Sequence, residues 1–351
     1  MTDIILQPQK AMNFCTEAFI VTGVPEADGR LVAENLVEAE LRGHPSHGLS
    51  RLKFYLAKLE HGGFKVKPNI KILKDRPSML LMDSDYSLGA VAGKQAMSLC
   101  IDKAKKTGFA AASVRNGNHY GIASFYAMMA LERDMIGFTT CNTIKLLAVH
   151  GGASQILGTN PIAIAVPAGK RYPLVFDGAT SMVASGKIIL ADIEGKPIPL
   201  GWALDTEGKP TTNPKAGLKG ALLPLGGYKG SGLAVMVDVL SAVLSGAMTS
   251  PHVNELRDYP EKGQNVGFFF GAIDVASFED VDVFKARIDQ LIDELKGSKK
   301  MEGVEEIFMP GEIEYRNHEK LSKTGFKIGP GVNNDLRQIK DRLNLKTNLV
   351  D

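Results

Sequence analysis

The sequence predicts a mixed α/β fold in which helices flank a mixed, largely antiparallel sheet. The first 75 residues show apolar side chains at helical spacing, whereas from about Ser78 short apolar strands alternate with helices. Only some neighbouring strands have a helix between them, which disfavours a purely parallel array. From Val283 onward the helical spacing returns. We therefore expect three segments, comprising residues 1–75, 76–282 and 283–351.

The N-terminal segment contains two predicted helices. In the first, Pro25–Gly43, apolar residues recur at helical spacing and acidic residues suit the positive end of the helix. His44 precedes a proline, which disfavours the helical conformation, so this helix should end near Gly43. A second helix is expected to begin with Ser46 as N-cap and to end at Gly62–Gly63. Its apolar stripe comprises Leu49, Leu52, Leu56 and Leu59.

The central segment supplies the predicted sheet. Short apolar runs predict strands at Met79–Met82, Ala110–Val114, Ile136–Thr140, Ile162–Val166, Leu174–Phe176 and Val266–Ile273. Helices are predicted at Ala90–Lys106, Ile122–Arg133 and Gly232–Leu244. The last of these is apolar on nearly every side, so it is expected to be a buried core helix. In the C-terminal segment, an amphipathic helix is predicted from Phe284, Ile288, Leu291 and Leu295.

Composition narrows the functional classes. The 351 residues include 41 Lys and Arg against 39 Asp and Glu, a net charge of +2, without the basic excess of a nucleic-acid binder. No apolar stretch is long enough for a membrane span. Cys15, Cys100 and Cys141 are scattered and form no Cys-x-x-Cys pair, which favours a reducing compartment. The N-terminus lacks a secretory signal, so a cytoplasmic protein is expected.

Common phosphate-binding fingerprints are missing. Neither a Gly-x-Gly-x-x-Gly after a strand nor a P-loop motif occurs in the sequence. The glycine-rich segment Gly227–Gly232 opens a helix, so its backbone N–H groups and Lys229 are placed where a phosphate could bind. The same segment could equally be a tight turn that lets a helix approach the sheet.

The segment Ser46–Arg51 is a stronger candidate for chemistry. If Ser46 caps a helix, His47 and Arg51 lie four residues apart on one face. A guanidinium can hold a carboxylate through two hydrogen bonds, and an imidazole can exchange a proton near neutral pH. This pair suits a 2-hydroxy or 2-oxo acid. The alternative is an ordinary helix start with a capping serine and a solvated arginine.

Further polar motifs stand at predicted strand ends. His119 lies in the loop Asn116–Gly121 and is a second acid/base candidate, although a histidine in a structural turn would look the same. Leu157–Pro161 and Phe176–Ser181 could face a ligand or form turns stabilised by side chains. A metal site is disfavoured, because Pro45 separates His44 from His47 and no nearby residues complete a tetrahedral set.

Together, in this order, the motifs resemble the type-2 malate/L-lactate dehydrogenase family of NAD(P)-dependent oxidoreductases, which is unrelated to the Rossmann-type lactate and malate dehydrogenases. The resemblance extends from about Val32 to Gly311. The segments that carry it are Leu41–Gly48 with Arg51, Asn118–Gly121, Gly158–Pro161, Phe176–Ser181, Pro199–Trp202, Leu225–Gly232 and Pro310–Glu312.

The resemblance implies a non-Rossmann NAD(P)-binding domain, a helical lobe built from both chain ends, and a homodimer with its sites near the subunit interface. Ser46 and His47 would contact the substrate or the nicotinamide, and Arg51 would hold the substrate carboxylate. Either His47 or His119 would carry the proton. The cofactor, NAD or NADP, would be contacted by Thr143, Thr159, Asn160, Asp177, Gly178, Ala179, Lys229, Gly311 and Glu312.

Two departures concern the pocket rather than the reaction type. Many relatives have Pro-Trp/Phe-Gly-Gly where this chain has Ala148–Gly152, and Lys145 stands where small or apolar residues are common. The substrate is therefore open among 2-hydroxy acids of the malate, L-lactate or sulfolactate type. Ureidoglycolate, diketogulonate and cyclic-imine acids of the same family are alternatives. Outside it, a catalytically silent ligand-binding protein and a zinc-dependent hydrolase are the rival hypotheses.

Overall fold

The computed structural model describes residues 3–349 and consists of a large sheet with flanking helices, a small second sheet and a helical region at the chain ends. Residues 1, 2, 350 and 351, which the predicted outer segments include, lie outside the described residues. Among the described residues, no helix combines the length and apolar character that crossing a membrane requires.

The helices and strands of the described chain are numbered in chain order. The α-helices are α1 (Pro8–Val21), α2 (Glu26–Leu41), α3 (Leu52–Glu60), α4 (Gly89–Thr107), α5 (Ser124–Met129), α6 (Ser185–Ile193), α7 (Pro214–Lys219), α8 (Tyr228–Asp238), α9 (Val281–Lys296), α10 (Glu312–Thr324) and α11 (Pro330–Leu343). The strands are β1 (Ile4–Leu6), β2 (Lys71–Asp75), β3 (Met79–Asp83), β4 (Phe109–Gly117), β5 (Met135–Cys141), β6 (Lys145–Leu147), β7 (Leu157–Gly158), β8 (Ile162–Val166), β9 (Leu174–Gly178), β10 (Ala203–Leu204), β11 (Ala221–Leu222), β12 (Val266–Asp274) and β13 (Phe326–Ile328).

The large sheet has seven strands in the order β2-β3-β4-β12-β5-β8-β9. Only the β3–β4 pair is parallel, and the five other pairs are antiparallel. The prediction of a mixed, largely antiparallel sheet is therefore confirmed. Helices α4 and α5 bury their small apolar residues against this sheet, together with Phe268 and Phe270 from its central strand.

Two small sheets were not predicted from the sequence. One has the strand order β10-β11-β6-β7, and its strands are two or three residues long. The other pairs β1 with β13, so that Ile4 lies opposite Ile328 near the other end of the chain. Runs this short show no readable alternation of apolar and polar residues, which is why pattern analysis did not find them.

Residues from both chain ends share one hydrophobic core. It contains Phe14 and Leu36 from α1 and α2, Leu56 from α3, and Leu336 from α11, all fully buried. Sequence spacing predicted the apolar stripe of α3, and Leu49, Leu52, Leu56 and Leu59 are all buried in this core. Helix α3 is therefore held on its apolar side, whereas Lys53 and Glu60 on the opposite side are exposed.

The predicted N-cap at Ser46 is wrong. The chain instead makes two short 3₁₀ turns, Pro45–His47 and Leu49–Arg51, before α3 begins at Leu52. Gly48 lies between them with a non-helical backbone, and the buried carboxylate of Glu40 accepts a hydrogen bond from the backbone N–H of Leu49 at 2.8 Å. Glu40 therefore takes the backbone donor that a capping Ser46 would have accepted, and the non-helical backbone of Gly48 interrupts the helix.

The expected burial of the apolar helix near Gly232–Leu244 is also wrong. Helix α8 starts earlier, at Tyr228, and passes into a π-helical turn at Val239–Val243. One side packs on the protein, whereas Met236 and Val243 are 55% and 60% exposed. When a helix is apolar on every side, its sequence does not show whether it is fully buried or leaves one apolar face exposed.

Candidate active site

His119 lies at the meeting point of the large sheet and α3. It follows β4, and its backbone N–H donates to the side-chain oxygen of Gln264 at 2.8 Å. On the ring, Nδ1 lies 2.6 Å from the hydroxyl of Tyr55 and also accepts a long hydrogen bond of 3.3 Å from the Gly121 N–H. Since Nδ1 is occupied, Nε2 is the nitrogen left for a ligand.

His47 stacks against His119. The two ring centroids are 5.6 Å apart with an interplanar angle of 24°. The Ser46 hydroxyl lies 3.0 Å from Nδ1 of His47, and Nε of Arg51 donates to the Ser46 carbonyl at 2.5 Å. The structure thus brings Ser46, His47, Arg51 and His119 together, through a turn rather than through the predicted helix face.

The electrostatics of this cluster favour neutral imidazoles. Burial lowers the pKa of His47 to about 3, and the charges of Arg51 and His44 act in the same direction. Burial, followed by Arg51 and His47, holds the pKa of His119 well below its usual value. An anion beside Arg51 would cancel part of this repulsion and raise both pKa values. Anion binding and protonation are therefore expected to be coupled.

Tyr55 and Arg257 are neighbours of the site that the sequence analysis missed. Tyr55 is buried, and desolvation raises the pKa of its hydroxyl, so it stays protonated as the partner of His119. The guanidinium of Arg257 lies 5.5 Å from the centre of the Phe54 ring, and its charge acts on Arg51. Arg51, Tyr55 and Lys58 are spaced by four and three residues, a helical stripe that could have pointed to Tyr55.

Stacked aromatic rings support the loop of His119. Tyr120 stacks on Tyr126 with centroids 4.8 Å apart and on Phe268 at 4.7 Å. Gly121 adopts a φ of +82°, and a β-carbon there would lie 1.7 Å from the side-chain oxygen of Asn35. Only glycine fits this position, so the loop is held between the sheet and α2.

Three of the proposed cofactor-contacting residues form one hydrogen-bond network. The fully buried side chain of Asn160 accepts from the Thr143 N–H at 3.0 Å and donates to the Ala234 carbonyl of α8 at 2.8 Å. The Thr143 hydroxyl accepts from the Thr159 N–H at 2.9 Å. The Thr159 carbonyl then accepts from the backbone and hydroxyl of Thr180. Asn160 therefore links this network to α8.

A second group lies at the end of β9. Asp177 accepts a hydrogen bond of 2.7 Å from the N–H of Ser124, the first residue of α5. Asp177, Ser124 and Gly311 line a cavity of about 370 Å³. Gly178 ends β9, and the half-buried Ala179 follows it.

Gly311 is a second position that requires glycine. Its φ is +84°, and a β-carbon there would lie 2.8 Å from Val175. The neighbouring Glu312 is bound by Lys296 at 2.8 Å and by Arg316, so its carboxylate braces the turn at Gly311.

The glycine-rich segment opens α8, as predicted. Gly226 and Gly227 adopt φ values of +58° and +66°, and Lys229 is exposed in the first turn of the helix. His150, from the departing segment Ala148–Gly152, donates its backbone N–H to the Ser231 hydroxyl at 3.0 Å. The segment Ala148–Gly152, which departs from the pattern of many relatives, therefore contacts the first turn of α8.

Among residues 3–349, no group of three or more His, Cys, Asp or Glu side chains is arranged to hold a metal ion. His44 lines the 370 Å³ cavity, whereas His47 stacks on His119.

Comparisons with known proteins agree with the geometry. The family model described as malate/L-lactate dehydrogenase matches residues 6–337. The chain is 42% identical to malate dehydrogenase of Pyrococcus abyssi (95% of this chain, 93% of the relative) and 42% identical to L-sulfolactate dehydrogenase of Methanocaldococcus jannaschii (97% and 98%). A solved structure of sulfolactate dehydrogenase from Methanocaldococcus jannaschii superposes with a TM-score of 0.92 at 42% identity, covering 97% of this chain and 98% of that one.

The resemblance drawn from the motifs is thereby confirmed, and with it the expectation of an enzyme. Dehydrogenases of this family depend on NAD(P). The chain belongs to the malate/L-lactate dehydrogenase family and is an NAD(P)-dependent dehydrogenase of hydroxy acids.

Proposed function

We propose that the enzyme interconverts 2-hydroxy and 2-oxo acids that carry a second anionic group, as malate and sulfolactate do. The supporting observation is the guanidinium of Arg51, whose charge acts on the stacked imidazoles of His47 and His119, together with a second cation, Arg257, whose charge acts on Arg51. One cation suffices for a monoanion such as lactate. Two cations suit a dianion, because each can form a charge-assisted hydrogen bond.

His119 is proposed as the proton carrier. When bound, the nicotinamide supplies or accepts the hydride at the carbon that bears the substrate oxygen. Nε2 of His119 gives or takes the proton of that oxygen, while the Tyr55 hydroxyl fixes the ring through Nδ1. A hydroxyl can both donate and accept, so Tyr55 can serve either protonation state of the ring.

Arg51 is proposed to hold the carboxylate next to the reacting carbon. Its Nε is bound to the Ser46 carbonyl, which fixes the guanidinium next to the turn that carries His47. His47 and Ser46 border the same space and would contact the substrate or the nicotinamide. Binding of the 2-oxo acid neutralises Arg51, so the proton needed for reduction is expected to enter His119 with the substrate.

The residues present fit a dinucleotide cofactor. The hydroxyl of Ser124 is buried without a hydrogen-bond partner and belongs to the cavity lined by Asp177 and Gly311. Lys229 and the glycine-rich start of α8 could hold phosphate oxygens. Thr143, Thr159, Asn160, Gly178 and Ala179 would border the cofactor between these two places, and Glu312 would fix the turn at Gly311. Either NAD or NADP is proposed.

A substrate panel tests the dianion proposal. Initial rates with NADH and NADPH are measured on oxaloacetate, sulfopyruvate, pyruvate and the acids of the ureidoglycolate, diketogulonate and cyclic-imine reactions. Arg257→Met should raise KM for oxaloacetate and sulfopyruvate by about tenfold, the low end for a charge-assisted hydrogen bond at an exposed site, and leave pyruvate unchanged. Lys262→Met, on the same loop, is the control. Equal preference for pyruvate and oxaloacetate would contradict the proposal.

We also propose a homodimer. The π-helical turn after α8 and α8 itself expose one continuous apolar face, formed by Leu233, Met236, Leu240, Val243 and Leu244. A face of this kind is typical of a protein interface. Light scattering after gel filtration should give twice the chain mass for the native protein. Met236→Glu should lower the measured mass toward that of a single chain. A native protein of single-chain mass would contradict the dimer.

We also propose that the three segments of the chain correspond to two structural parts. Residues 1–75 and 283–351 would form the helical lobe, with 76–282 as the cofactor-binding part, which the shared core of α1, α2, α3 and α11 supports. Helix α9 lies apart from that core, since Asp289 accepts hydrogen bonds from residues 169–171. A cytoplasmic location, supported by three buried, unpaired cysteines, can be checked by cell fractionation.

A further inference from the structure

Lys58 is a buried cation that the proposed reaction does not use. It lies in α3 and is fully buried. The nitrogen of its ammonium group lies 2.8–3.1 Å from four backbone carbonyls, those of Glu255, Asp258, Tyr259 and Lys262, so its three N–H groups serve four acceptors and one is shared. Four carbonyl dipoles that converge in a buried place repel each other unless a cation lies between them.

The four carbonyls belong to one loop, residues 255–262. It runs between two segments that are joined at the base, where the Asn254 N–H donates to the Gln264 carbonyl at 3.1 Å and Gln264 Nε2 donates to the Asn254 carbonyl at 3.2 Å. Gly63 lets the loop come close, since a β-carbon there would lie 2.3 Å from the Pro260 carbonyl. The loop is therefore wrapped around the end of the Lys58 side chain.

The base of the loop is bound to the backbone of His119. Gln264 accepts from the His119 N–H at 2.8 Å, and its own N–H donates to the Asn118 side chain at 2.8 Å. Helix α3 thus reaches His119 twice. Tyr55 binds the ring directly, and Lys58, three residues later on the same helical face, acts through the loop and Gln264.

We propose that Lys58 is a positioning residue, whose ammonium group holds the loop 255–262 so that Gln264 fixes the backbone of His119 and Arg257 stays beside Arg51. This inference rests on the proposed role of His119 as proton carrier. Burial lowers the pKa of Lys58, and the nearby carboxylates of Glu261 and Asp258 oppose this effect by favouring the charged form.

Chemical rescue of Lys58→Ala tests the proposal. This change removes the side-chain atoms beyond Cβ, which n-propylammonium replaces. A displaced reacting group is expected to lower kcat by about 10–100-fold, with KM for the cofactor within about twofold of wild type. Added n-propylammonium should restore kcat severalfold and raise the thermal unfolding midpoint, whereas tetramethylammonium, which has no N–H, should do neither. Lys53→Ala, on the exposed side of the same helix, is the matched control.

A second variant keeps the test decisive if Lys58→Ala does not fold. Gln264→Met keeps Lys58 and its four carbonyls but removes the acceptor for the His119 N–H, together with the Nε2 hydrogen bond at the base of the loop. It should show a similar loss of kcat that n-propylammonium does not reverse. Wild-type kcat in either variant, or a loss in Lys58→Ala that tetramethylammonium reverses equally well, would overturn the proposal. Failure of the proposed function is distinct, because the wild-type enzyme would then turn over none of the acids or would show no preference for the dianions.

Discussion

Replacing His119 with glutamine is expected to lower kcat by about 10²–10⁴-fold, because an amide keeps the shape of the ring but cannot exchange a proton. Binding of NADH or NADPH, followed by cofactor fluorescence, should change little. His61→Gln is the control, since His61 lies on the surface and bonds the Ala57 carbonyl of its own helix. A normal kcat in His119→Gln combined with a loss in His47→Gln would assign the proton to His47 instead.

The same variant should lose a proton linkage. In the free enzyme both imidazoles are neutral at pH 7, because burial and Arg51 hold their pKa values below the usual 6.5. Anion binding raises the pKa, so affinity for a non-reducible dianion such as tartronate should increase as the pH falls from 8 to 6. Calorimetry in two buffers of different ionisation enthalpy measures the proton uptake. Wild-type affinity that is independent of pH would contradict the coupling.

Arg51→Lys is expected to raise KM for the 2-oxo acid by about 10²-fold, because an ammonium cannot replace a two-point guanidinium contact. A smaller loss of kcat should accompany it, since the bond from Nε to the Ser46 carbonyl also disappears and the turn that carries His47 loosens. Steady-state rates at saturating cofactor separate the two effects. The control is Arg76→Lys, at an exposed position. An unchanged KM in Arg51→Lys would contradict the proposal that Arg51 holds the substrate carboxylate.

Much of the central sheet could be predicted, because its strands β3, β4, β5, β8, β9 and β12 are each at least five residues long and contain a short apolar run. The convergence of His47, Arg51 and His119 was predicted as a hypothesis, and the structure places these side chains together, while their chemical roles stay predictions. The helix start at Ser46 was wrong because Glu40, six residues earlier, binds the backbone of Leu49. Such a contact depends on the tertiary fold and leaves no trace in local spacing.

The positioning residues show the same limit. Tyr55, Lys58 and Gln264 are ordinary helix and loop residues in the sequence, and their importance comes from partners 64 to 204 residues away. A lysine inside an otherwise amphipathic helix is normally solvated, so its burial under four carbonyls was not foreseeable. Helix α8 was misjudged for the opposite reason, since an apolar sequence does not show that one face of the helix is left exposed in the single chain.

The pairing of β1 with β13 determines when the enzyme can first work. The strand near the start of the chain finds its partner only after residues 326–328 have left the ribosome. Helix α3, which carries Tyr55 and Lys58 and directly follows Arg51, packs in the core that this late pairing closes. A nascent chain that has folded the central sheet around His119 therefore still lacks the packed core that supports Arg51, Tyr55 and Lys58. We expect activity only once synthesis is complete.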